Sequence, residues 1–99
     1  MKYEWIGKRY GCEGILKIYP IDCLDRVAIH VTYLCTGDVS IGVEGSPEMW
    51  GSRAAEQWAV GMLAASRILL DFQELGFEAA KEEDVVDRRI AEAERIVWD

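Results

Sequence analysis

The chain has one histidine, and its surroundings are the first place to look for chemistry. His30 and Glu44 lie on two stretches of alternating pattern joined by Thr36-Gly37-Asp38. A three-residue turn there sets Cys35 opposite Val39, Tyr33 opposite Ile41, Val31 opposite Val43 and His30 opposite Glu44. A carboxylate beside an imidazole can tune a general base. The plainer reading of the same pair, and the preferred one, is an exposed cross-strand contact worth a few tenths of a kcal/mol. Nucleophilic catalysis would need a third group. The neighbours expected on that face are Thr32 and Ser40, and no G-x-S-x-G elbow is present.

Other constellations are thinner. Cys12, Cys23 and Cys35 form an odd set without C-x-x-C spacing, which points to reduced thiols packed as small apolar groups. No metal site and no cofactor is expected. Gly7-Lys8-Arg9-Tyr10-Gly11 lacks the spacing of a phosphate loop, and a strand follows it instead of a helix. Lys2, Lys8, Arg9 and Lys17 stand among Tyr3, Tyr10 and Tyr19, a mix that single-stranded nucleic acid could use. The net charge of −7 argues against that use.

The acidity is localised. Residues 1–46 hold five Lys/Arg against six Asp/Glu, whereas residues 47–99 hold six against twelve. Glu78, Glu82, Glu83, Asp84 and Asp87 are offset in their stretch only by Lys81. Such a run suits the positive end of a helix, and it also suits docking onto a basic protein surface. Trp50, in a loop beside Met49 and Gly51, is a candidate interface anchor, and Trp98 raises the same question at the other end.

These residues need a scaffold, and the sequence outlines one. Half the residues are hydrophobic and 99 residues make one domain, with residues 1–45 a β half and 46–99 a helical half. Tyr3–Lys8, Gly14–Tyr19, Val27–Cys35 and Val39–Glu44 read as strands, with Gly11–Gly14 as the first turn and Pro20–Arg26 as a loop. Ser46-Pro47-Glu48 marks a helix start that takes hold only after Gly51. Trp58, Met62, Ala65, Leu69 and Phe72 form its stripe, with Arg53, Glu56, Gln57, Arg67, Asp71 and Glu74 opposite. Gly76 ends it as a left-handed cap, with Phe77 packing back. A second helix from about Glu82 to Trp98 carries Val86, Ile90, Ala93 and Val97, with Asp84 and Arg88 spaced to pair. The expected fold is α+β: a four-stranded, mainly antiparallel sheet followed by two helices packed on one face. Val60, Gly61 and Ala64 form a small-residue surface that either the second helix or a second subunit would cover.

No stretch is long and apolar enough to span a membrane, and the N-terminal residues lack the apolar core of a signal peptide. The expectation is a cytoplasmic protein. In general character the chain is similar to the small acidic proteins with which phages and mobile elements block host machinery, a likeness of composition without a motif. The working expectation is a non-enzymatic protein-binding module, an inhibitor that occupies a basic, nucleic-acid-binding surface of a protein partner. A structural homo-oligomer, such as a homodimer, is the alternative, and a small enzyme or ligand binder at His30–Glu44 comes third.

Overall fold

The computed structural model describes residues 1–21, 26–45 and 51–98. Four strands, β1 (Lys2–Ile6), β2 (Cys12–Tyr19), β3 (Ala28–Leu34) and β4 (Val39–Glu44), form an antiparallel sheet in the order β1-β2-β3-β4. Three helices follow: α1 (Ser52–Leu75), α2 (Phe77–Glu82) and α3 (Val85–Trp98). The α+β architecture expected from the periodicities is the one observed, with a short additional helix. None of the described helices is long and apolar enough to cross a membrane. Cys23, the Ser46-Pro47-Glu48 start and Trp50 lie outside the described residues.

Both hairpins turn one or more residues away from where the sequence suggested. In the first, Tyr10-Gly11 makes the turn: Arg9 and Cys12 exchange backbone hydrogen bonds of 3.2 and 2.9 Å, and Gly11 takes φ +69°. β2 therefore starts at Cys12 and absorbs a bulge between Cys12 and Gly14. In the second, the loop is Cys35-Thr36-Gly37. The Gly37 N–H donates to the Leu34 carbonyl and the Leu34 N–H to the Asp38 carbonyl, at 2.9 and 2.8 Å. A three-residue loop of this kind needs positive φ at its third position, and Gly37, at +92°, must be that residue. Tyr33 consequently pairs with Val39, Val31 with Ile41 and His30 with Gly42. The shift is two residues, so face parity survives and the apolar side chains still share a face.

That face packs beneath α1. Leu16, Ile18, Ile29 and Val31 are fully buried against Val60, Ala64, Ala65, Ile68 and Phe72. The buried arc of α1 is wider than the expected stripe and is rotated from it, leaving Trp58, Met62 and Leu69 half-buried on its flank. Two layers press on α1, the sheet on one side and α3 on the other. Gly61 faces the sheet: a Cβ there would lie 2.8 Å from Pro20 Cβ and 3.0 Å from Ile29 Cδ1.

The expected second helix begins at Val85 rather than at about Glu82, and the short α2 precedes it. On one continuous helix Phe77 and Val86, two and a half turns apart, would face opposite ways. Both are buried, and the chain reconciles them with a turn at Glu83-Asp84, where Asp84 takes φ +54°. Asp tolerates the left-handed region better than most residues. Gly76, at φ +85° and ψ 167°, is not the expected left-handed cap. Its backbone reorients the chain directly into α2 and places Phe77 in the core. Phe77 lies edge-on to Trp5 and Phe72, with centroids 5.5 and 5.7 Å away, and its ring covers the bare backbone of Gly14.

Candidate functional site

The helix-free face of the sheet holds the residues singled out for chemistry. His30 lies across from Gly42, not Glu44, because of the hairpin register. Glu44 still reaches it diagonally, Oε1 standing 3.1 Å from His30 Nε2. That is ion-pair distance, but the ring nitrogen is buried and not aligned for a hydrogen bond. The other carboxylate oxygen is 3.6 Å from Lys17 Nζ. Burial alone would push the Lys17 ammonium down; Glu44 and Tyr19 outweigh it and hold the group above the usual lysine value. Lys17 and Lys2 stand 5.5 and 5.1 Å from the Tyr19 ring centroid, and the Tyr19 hydroxyl donates to Glu4 at 2.9 Å. Contacts thus run from Glu4 through Tyr19, Lys17 and Glu44 to His30, across all four strands. Thr32 and Ser40 pair with each other in register, and no hydroxyl is described in contact with His30. Chemically this is a lattice of charge pairs and cation–π contacts that braces the open face.

The acidic residues are all exposed and straddle the turn between α2 and α3. Glu78 and Glu82 ride on α2, Glu83 and Asp84 form the turn, and Asp87 lies in the first turn of α3. Asp84 is outside the helix, so the expected Asp84–Arg88 helical pair does not arise; Asp84 and Asp87 converge instead on β1. The Tyr3 hydroxyl donates to Asp87 Oδ1 at 3.1 Å and, more weakly, to Asp84 Oδ1 at 3.4 Å. Burial, together with those two carboxylates, pushes the Tyr3 phenol up to about 12. Tyr3 anchors the acidic corner to the sheet, and sequence reasoning missed it because the contact spans more than 80 residues.

Val60, Gly61 and Ala64, considered for a subunit interface, are buried within the single chain and offer no surface. An oligomer would have to use another face. Asp71, assigned to the solvent side of α1, is 3% exposed. Arg89 of α3 grips it through Nε and Nη2 at 2.8 and 2.6 Å, and its Nη1 also donates to Glu92 at 2.9 Å. These hydrogen bonds raise the guanidinium further above its already high value. The signal was present in the spacing, since Asp71 continues the line Val60, Ala64, Ile68 along one side of α1. Cys35 is exposed at the hairpin turn, not packed as an apolar group, and residual desolvation with the nearby Glu13 raises its thiol. Cys12 is buried.

Two clefts flank the N-terminal strand. One, of about 440 Å³, is lined by Lys2, Tyr3, Glu4 and Tyr19. The other, of about 230 Å³, is lined by Met1, Pro20, Arg53, Gln57, Glu94 and Trp98. Neither is lined by His30. The Trp98 indole N–H donates to Glu56 at 3.3 Å, tying the end of α3 to the start of α1. Among the described residues no cluster of three or more His, Cys, Asp or Glu is placed to hold a metal ion. Comparison with protein-family models, curated proteins and solved structures finds no match to this chain.

Proposed function

We propose that this protein is a non-enzymatic, acidic protein-binding module whose acidic corner docks on a basic surface of a protein partner. The observation that carries the reading is the corner itself. Glu78, Glu82, Glu83, Asp84 and Asp87 are all solvent-facing within ten residues, with Lys81 the one cation among them. Oriented carboxylates on a rigid mount steer a basic partner and set its register. Here the mount is supplied by Phe77 in the core and by the Tyr3 hydroxyl. A partner surface that ordinarily holds nucleic acid has the matching charge, so occupation of that surface would make the module an inhibitor.

The test uses the tagged protein and a quadruple variant, Glu82→Gln, Glu83→Gln, Asp84→Asn and Asp87→Asn, in a nuclease-treated lysate. These substitutions keep hydrogen-bond acceptors for Tyr3 and suit the backbone at position 84. A stoichiometric partner should be held by the parent chain, released by salt and lost by the variant. Equal retention of the same partner by both proteins overturns the acidic-corner reading.

A further inference from the structure

The two edges of the sheet are built differently. β1 carries Lys2 and Glu4, and its Tyr3 is drawn to α3. β4, Val-Ser-Ile-Gly-Val-Glu, has no proline, no lysine and an uninterrupted register with β3. Proline, lysine and β-bulges are the devices with which proteins normally blunt an edge. The direction of its backbone groups follows from two hydrogen bonds. The Leu34 N–H reaches Asp38 on the β4 side, and the Cys35 N–H reaches Gly11 on the β2 side. Antiparallel pairs alternate, so Asp38, Ser40, Gly42 and Glu44 bond to β3. Val39, Ile41 and Val43 therefore direct their N–H and C=O groups away from the sheet, and no described residue bonds to them. Val43 is 50% exposed, as an open edge requires.

From this edge we infer that β4 is a docking strand for an extended segment of a partner protein, added antiparallel to the sheet. The side chains specify the segment. Apolar residues must face Val39, Ile41 and Val43, and small residues must face Ser40 and Gly42. At the two ends lie Asp38 and Glu44, the latter half-exposed beyond its contacts with Lys17 and His30, and both favour Lys or Arg opposite. The pattern is basic, apolar, small, apolar, small, apolar, basic. A second copy of this chain fits less well in the register that pairs all three outward residues. The self-pairing register centred on Ile41 sets Asp38 against Glu44 of the copy at both ends, between two bodies of charge −7. This inference shares with the preceding one a basic partner but uses the opposite edge of the molecule, so either can fail alone.

The probe is an acetylated, amidated peptide, Lys-Val-Ser-Val-Thr-Val-Lys, titrated against the full chain by NMR. The Val39, Ile41 and Val43 amides should become protected from exchange, while those of Ser40 and Gly42, already bonded to β3, change little. A peptide with glutamate at both ends, and one N-methylated at its three valines, should each bind at least about fivefold more weakly, the equivalent of one hydrogen bond's net worth. Ile41→Pro removes an outward donor without touching the β3 ladder and should weaken binding similarly. Val43→Lys, which keeps the backbone intact, adds repulsion toward the basic end of the peptide and checks the result if the proline variant folds poorly. The acidic-corner variant should bind the peptide as the parent does. Equal binding of the glutamate-ended peptide, or protection located elsewhere, overturns the inference. So does protection of the three amides by self-association without peptide.

Discussion

The contact between Gly14 and Phe77 can be tested with a double-mutant cycle. A Cβ at position 14 would lie 2.1 Å from Phe77 Cζ and 2.2 Å from Cε1, far inside contact distance. An exposed ring would swing aside. This one is 4% exposed and is held by Trp5 and Phe72, so the ring, its neighbours and the start of α2 must move together. Overpacking of a filled core typically costs about 1–3 kcal/mol, and Gly14→Ala should fall in that range. Phe77→Ala leaves a void in the aromatic cluster and should cost about 3–5 kcal/mol. In the double variant the new methyl enters the space that the ring vacated, so the clash disappears. The combined loss should then be smaller than the sum of the single losses by about 1–3 kcal/mol. Urea unfolding followed by tryptophan fluorescence measures all three variants, and unchanged m values would show that two-state comparison holds. Additivity within about 0.5 kcal/mol would refute the claim that Gly14 is required because Phe77 covers it.

Two further outcomes follow from the charged pairs. Asp71→Ala leaves Arg89 without its bidentate partner but with Glu92 still in contact, so the loss should sit at or below the lower end of the roughly 3–5 kcal/mol seen when buried pairs are broken. Replacement of both by Leu and Met should recover most of it in the same unfolding assay, and equal losses in the single and double variants would contradict the assignment. Tyr3 gives an alkaline signature. Its folded-state value, about 12, lies above the ordinary 10.0, so its contribution to stability is intact below pH 10 and is lost as pH rises toward 12. Tyr3→Phe should flatten that alkaline limb relative to the parent; an identical decline in both proteins would count against the Tyr3–Asp87 contact.

The fold class was legible because local signals agreed: period two through Glu44, period 3.6 afterwards, and glycine between the strands. What failed was placement by one or two residues, where φ decides. Gly37 fits the third position of its loop, which moved the whole register, and Asp84 accepted a positive φ that separates the expected helix from a short one before it. The acidic residues were visible as a run, yet their mount was not. Tyr3 and Phe77 act over separations that no periodicity encodes. Asp71 illustrates a different limit. A charge on a helix is read as solvent-facing unless its partner is known, and Arg89 lies 18 residues away.

That ion pair also bears on which packings the helices can adopt. The buried faces of α1 and α3 are made largely of Ala, Val and Ile, whose contacts are non-directional. A slip of α3 by one turn would bring Val85 or Ala93 to the place of Arg89 and leave the Asp71 carboxylate buried beside a side chain that cannot answer it. Apolar packing by itself carries no such directional penalty. The Asp71–Arg89 pair, with the Trp98–Glu56 hydrogen bond at the far end of α3, selects one packing by direction as well as by area.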